Sequence, residues 1–263
     1  MDNMNKLFEL NSKGIKVYNP DCLDKMKKSS AIVLNTLKEV ESKIKAGLTT
    51  KEVDKICEDY IKSCGARPTC KGYQGYPAAS CISVNEVVCH GVPSDRIIKD
   101  GDIVNVDVVA EIDGWHSDSS RTFMIGSVSD KRKKLVEVSK KAMEIGIQSV
   151  EIGKDLKEIG IAIEKYVLSQ GSFKIVKEFC GHGIGMSMHE KPFIYHFDPK
   201  HKLGKIVPGM FFTVEPIIVN GEEDFKELKD GWTTVTKDGS DAAQFEHTIY
   251  VGYDGKVHIL TDG

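Results

Sequence analysis

A chain of 263 residues with 36 basic and 39 acidic side chains has a formal charge of −3, too even a balance for a protein built around a nucleic-acid surface. At 40% hydrophobic and 29% charged it has a globular composition, which excludes disordered and fibrous classes, and about three quarters of the unfolded surface can be buried without staples. Seven cysteines without a Cys-x-x-Cys pair read as reduced thiols in the cytoplasm, and with neither an export signal in the first ten residues nor ~18 consecutive apolar residues, no export or membrane anchoring is expected.

The first predicted element is a charged amphipathic helix over 23–44, followed by a second over 47–65, reading GLTTKEVDKICEDYIKSCG. Thr49 is its capping residue and Gly65 its left-handed end. An apolar strand starts at Gly101 and ends in an acid, Asp107 (GDIVNVD), and a Gly114 turn then leads to Asp118. On paired strands these two carboxylates face one cavity. The same order then returns. A long helix is predicted over 131–152, a second over 153–171 (GKDLKEIGIAIEKYVLSQG) with Asp155 as cap and Gly171 as end, and a strand from Gly209 to the acid Glu215 (GMFFTVE). Gly47 and Gly153 are 106 positions apart, Asp107 and Glu215 108, so order and spacing are kept. We therefore expect a single domain over 1–263, built from two related α+β halves at about 20–130 and 131–262, with a ligand cleft where they meet.

The chemistry-bearing residues fall on that cleft. Asp107 is set among Val104, Val106, Val108 and Val109, Glu215 among Phe211, Phe212, Val214 and Ile217, and Glu246 beside Phe245. Acids in such company need a partner. Asp107, Asp118, Glu215 and Glu246 with His182 (CGHGIG) suit a pair of divalent transition ions, Mn, Fe, Co or Zn rather than Mg or Ca, which lower the pKa of a shared water. His90 (VVCHGVP) and His189 (SMHEKP) each lie between a helix and an acid-tipped strand, which points to proton transfer or carbonyl polarisation. His116 and His247 are expected on the opposite strand face, and His196, His201 and His258 in solvated loops. The glycines around His182 lack a Walker lysine and a ribose-binding acid, which rejects nucleotide binding; they read as backbone passing close to the site. Lys131, Lys133, Lys134, Lys140 and Lys141 read as a solvated helix face.

These motifs, GYPAASCISVNEVVCHGVP, DGDIVNVDV, CGHGIG, TVEP and AQFEHT, resemble those of the methionine aminopeptidases, specifically the bacterial-like type I enzymes, in order and spacing from about residue 16 to 260. The resemblance implies the pita-bread α/β fold, two pseudo-symmetric halves with a central antiparallel sheet flanked by helices. It implies removal of the N-terminal methionine from nascent proteins whose second residue is small. Asp118 and Glu246 would bridge two metal ions, His182 and Glu215 complete one site and Asp107 the other, with Glu215 the proton acceptor. His90 and His189 would position the peptide and stabilise the tetrahedral intermediate or protonate the leaving amine. Cys70, Tyr73, Tyr76, Cys81 and Trp232 match positions around the methionine side chain, with Met188 where the family commonly has Phe. A monomer in the cytoplasm, with transient ribosome association and no specific DNA, completes the implied picture. The first ~17 residues hold no zinc-binding extension of the eukaryotic kind, and the interval from Glu215 to Glu246 is too short for the type II insertion. Two rivals share the fold: a binding module that has lost its metal, and a proline-specific peptidase.

Overall fold

The computed structural model describes residues 7–263; residues 1–6, part of the stretch read as lacking an export signal, lie outside the described residues. Helix α1 (Leu23–Lys43) buries Met26, Ser29, Ser30, Val33, Leu37 and Val40 at three- and four-residue spacing. In α2 (Thr50–Ser63) the Thr49 hydroxyl accepts from the Glu52 amide while the Glu52 carboxylate accepts from the Thr49 amide, so two otherwise unpaired groups are satisfied at once. The α2 chain turns away at Gly65, whose φ is +73°.

Helix α3 (Asp130–Gln148) starts on the Ser129 hydroxyl, which accepts from the Arg132 amide. Helix α4 (Lys157–Ser169) is preceded by Asp155, whose carboxylate takes the amides of Lys157, Leu203 and Gly204, so the expected cap also anchors a distant segment. The two long helices end earlier than the sequence suggests: residues after Lys43 and Gln148 leave the helix to reach Gly47 and Gly153, whose amides bond to distant carbonyls.

The strand Ile103–Ile112 runs antiparallel to Trp115–Met124 over ten paired positions. Asp113 and Gly114 join them at φ +54° and +81°, the paired left-handed geometry of a tight hairpin. Its other edge takes Cys81–Val84. In the second half Phe211–Val214 pairs with His247–Val251. Duplication is visible in matched bonds. The Gly47 amide meets the Ile98 carbonyl at 2.9 Å and the Gly153 amide the Ile206 carbonyl at 2.9 Å; the Gly101 amide meets Ile125 at 2.7 Å and the Gly209 amide Val251 at 2.8 Å. Each half has its own core, the first including Val33, Leu37, Val53, Ile61, Val104 and Val106, the second Leu135, Ile159, Ile163, Phe212, Val214 and Ile249.

The antiparallel strands are divided among several sheets rather than one. Where the halves meet, the strand Val87–Cys89 pairs with Thr234–Thr236, and around the acids side chains supplement a few backbone bonds. Ser119 Oγ donates to the Glu246 carbonyl at 2.6 Å, Thr248 Oγ1 donates to the Asp118 carbonyl at 2.7 Å and accepts from its amide at 3.1 Å, and Thr122 Oγ1 donates to the Gln244 carbonyl at 2.7 Å. Hydroxyls can donate and accept at once, which lets two strand segments meet without a shared register. Among the described residues no helix is long and apolar enough to cross a membrane.

Candidate metal centre and cavity

That seam between the halves is where the predicted acids converge. Asp107 lies opposite Ser120 and Asp118 opposite Val109, so the two carboxylates share a sheet face as diagonal neighbours. Glu246 is fixed through its own backbone, its amide donating to the Ser120 carbonyl at 3.0 Å. Glu215 stands at the end of its strand, where the Thr213 hydroxyl donates to Oε1 at 2.6 Å and the Gln244 amide to Oε2 at 3.3 Å. His182 comes from the short strand Gly181–Gly183. Atoms of Asp118, His182 and Glu246 that could bind an ion all lie within 4.8 Å of one another.

The hydrogen-bond inventory shows what this cluster lacks. Among the described residues, Asp107 Oδ1, Asp118 Oδ1 and Glu246 Oε1 are buried with no hydrogen-bond partner, and no lysine or arginine lines the surrounding cavity of about 390 Å³. Buried anions without donors or counter-charge are strongly disfavoured. Burial accordingly pushes the Asp107 carboxyl up to about 6 and that of Glu215 up to about 8. Burial, followed by the neighbouring carboxylates, also holds Asp118 and Glu246 well above the usual range. His182 moves the other way: burial pushes it down to about 3, so its 3.7 Å and 3.6 Å approaches to Asp118 and Glu215 are not ion pairs. With Nδ1–H donating to the Gly183 carbonyl at 3.1 Å, Nε2 turns a lone pair toward the carboxylates. An imidazole lone pair among donor-starved carboxylates fits divalent transition ions.

His90 and His189 flank the acids. His90 holds a left-handed backbone, φ +53°, which side-chain-bearing residues adopt at a cost, and the next residue is Gly91 because a Cβ there would lie 2.2 Å from the Ile82 carbonyl. The His189 ring meets His182 edge-on at 4.3 Å, and its Nδ1 is 2.8 Å from the Tyr73 hydroxyl. Burial keeps both histidines below their ordinary range. Cys70, Tyr73, Tyr76, Cys81, Met188 and Trp232 line the same cavity, with Tyr76 and Trp232 edge to face at 5.2 Å. The structure thus gathers all thirteen predicted site residues around one cavity.

Three expectations are corrected. His116 stands two positions before Asp118 and so shares its face; it is buried, and its ring and amide meet the Gly185 carbonyl outside the cavity. His196 is not in a solvated loop. It is 1% exposed behind Glu215, whose amide donates to its Nε2 at 3.2 Å, because it follows the strand Glu190–Ile194 inward. The glycines beside His182 serve neighbouring chain rather than a ligand: a Cβ on Gly181 or Gly183 would strike the Thr213 or Lys191 carbonyl at 2.4 Å or 2.2 Å. His247 does face away from the cavity, bonded to Thr261, while His201 is exposed and His258 half-exposed. Sequence reading missed Gln244, Cys180 and the mouth residues Glu178, Phe179 and Phe193. Gln244 and Cys180 each lie two positions before a predicted ligand, so strand alternation was the available signal.

Comparison with known proteins agrees with this geometry. The model of metallopeptidase family M24 matches residues 24–252. The chain is 42% identical to the methionine aminopeptidase of Escherichia coli (strain K12) over 249 residues, 94% of each chain. It is 42% identical to methionine aminopeptidase 1 of Bacillus subtilis (strain 168), over 88% of this chain and 92% of that one. The crystal structure of methionine aminopeptidase from Rickettsia prowazekii superposes with a TM-score of 0.91 at 40% identity, covering 94% of this chain and all of that one. Prolidase from Pyrococcus furiosus, at 21% identity and a TM-score of 0.74 over 94% of this chain and 65% of its own, shares the fold.

Proposed function

The chain belongs to metallopeptidase family M24 and within it to the methionine aminopeptidases, and from that premise we propose that Asp107, Asp118, His182, Glu215 and Glu246 hold two divalent ions for removing the first methionine of nascent chains with a small second residue. The observation that supports the ion-binding reading is the set of buried, donor-less oxygens on Asp107, Asp118 and Glu246, with ion-binding atoms of Asp118, His182 and Glu246 within 4.8 Å of one another. Ions bound there supply Lewis acidity and an activated water, and Mn, Fe, Co and Zn all suit this carboxylate and imidazole set.

The remaining roles fall to the protein's own groups. Glu215, beside the bound ions, would accept a proton from the attacking water and return it to the leaving amine. His90 and His189, held neutral, donate hydrogen bonds to the scissile carbonyl and its developing oxyanion. The apolar wall of Tyr76, Val109, Met188 and Trp232 with the thiols of Cys70 and Cys81 suits a thioether side chain. A monomer acting in the cytoplasm, touching the ribosome through the exposed lysines of α3, belongs to the same reading.

The decisive experiment strips the purified protein with a chelator, adds Mn, Fe, Co or Zn separately, and measures methionine release from Met-Ala-Ser. Release is expected only with metal, about ten-fold or more slower from Met-Leu-Ser, and absent in folded Glu246→Ala. Release in chelator, or an active Glu246→Ala, overturns the metal assignment; cleavage of Ala-Pro in preference to Met-Ala favours the proline-specific rival.

A further inference from the structure

The loop that carries Met188 and His189 into the cavity is fastened from outside it. A hairpin near the start of the chain, β1 (Phe8–Leu10) paired with β2 (Lys16–Tyr18), lies against this loop. Tyr18 is 1% exposed, and its hydroxyl is 2.9 Å from both carboxylate oxygens of Glu190, the residue after His189. Lys16 Nζ donates to Glu190 Oε1 at 2.7 Å, and that oxygen also accepts the Ser187 amide at 2.9 Å. The Met186 amide donates to the Tyr18 hydroxyl at 3.2 Å, and Gly185 passes so close that a Cβ there would lie 2.6 Å from it. From Gly185 to Glu190 the chain is therefore held at three points by one carboxylate and one phenol. On its other side the His189 ring meets the Tyr73 hydroxyl at 2.8 Å and the edge of the His182 ring at 4.3 Å.

We propose that Glu190 is a positioning residue for His189, and that the β1–β2 hairpin, through Tyr18 and Lys16, is a working part of the active site. This rests on the role assigned to His189 above. A carboxylate with 5% of its side chain exposed, taking charge-assisted bonds from a lysine and a phenol, fixes both its own rotamer and the backbone beside it. A shift of about 1 Å in a catalytic group is enough to lower turnover strongly.

The test is a cycle of Glu190→Gln, His189→Ala and the double variant, with Mn as the metal and Met-Ala-Ser as the substrate. Glu190→Gln should lower kcat about ten-fold or more while KM and the calorimetric Kd for Mn stay within about three-fold. In the His189→Ala background it should cost nothing further, because the two act as one unit. In metal-free protein, amide exchange over residues 185–190 should speed up by about ten-fold. Tyr18→Phe, which keeps the ring, should give the same pattern and carries the test should Glu190→Gln fail to fold. Losses that multiply in the double variant, or unchanged exchange over 185–190, would overturn the proposal. A wild-type protein that releases no methionine with any metal refutes the activity reading instead, and the exchange measurement still decides the fastening.

Discussion

A buried carboxylate with a raised pKa binds a proton in the folded state that the unfolded chain has already released. Stability then falls as pH rises from the unfolded to the folded pKa. Glu215, pushed up to about 8, carries that window past neutrality, with Asp118 and Glu246 held well above the usual range alongside it. The buried histidines act oppositely: His182 is pushed down to about 3, so between there and about 6.5 the unfolded state binds the extra proton and stability rises with pH. Above about pH 6.5 these histidines are neutral in both states and the carboxylates alone remain. The urea midpoint of metal-free protein should therefore fall between about pH 6.5 and 8, and saturating Mn should flatten the slope by replacing the protons with a cation. A metal-free midpoint that rises over this interval would contradict the buried-acid account. At this scale the sequence was legible wherever a residue lay in a contiguous motif, as Asp107 and His182 do. His196 was not, because its place behind Glu215 comes from the inward course of the chain after Ile194, which no local pattern records.

Elements were legible where a period or a cap marks them. The Thr49 and Glu52 box starts α2 as read, and Gly65 and Gly171 end α2 and α4 in left-handed geometry. Strands of two or three residues, such as Arg67–Pro68 and Lys174–Ile175, carry no period at all and exist only through their partners. Helix contact surfaces were equally hidden. Gly160 reads as a weak point inside α4, yet it is where the helix meets the chain leading away from the site: a Cβ there would lie 2.2 Å from the Phe197 carbonyl and 2.5 Å from that of Tyr195. Backbone cannot yield as a side chain does. Gly160→Ala should therefore cost about 2–3 kcal/mol in urea unfolding despite the better helix propensity of alanine. Leu168→Ala, on the exposed face of the same helix, should stay within about 0.5 kcal/mol. Equal effects at the two positions would mean that α4 does not sit against this segment as described.

For the whole molecule, the duplicated order of helices and acid-bearing strands made two halves visible in the sequence, but not how they join, nor that Asp107 stands in the middle of Ile103–Ile112 rather than at its end. The joint is a row of hydroxyls, Ser119, Thr122 and Thr248, whose residue types suggest solvent-facing strands until the opposing segment is known. Thr248 bridges both backbone groups of Asp118 and so ties a proposed ligand of one half to a strand of the other. With such bonds buried between two cores, the halves should unfold in one cooperative transition rather than two. Thr248→Val, which keeps shape and leaves two buried backbone groups unpaired, should lower that single midpoint by about 2 kcal/mol. Two separable transitions in the wild-type protein would show that each core stands alone.

The division of the proposed ligands between the halves also has a consequence in time. Synthesis delivers Asp107 and Asp118 first, His182 and Glu215 later, and Glu246 last of the five, on the loop that leads into the strand His247–Val251. Until that strand pairs with Phe211–Val214, the early acids have neither their companions nor the backbone anchor that Ser120 gives Glu246. A protein that trims the beginnings of other chains therefore cannot begin to work until its own chain has been made through the strand His247–Val251.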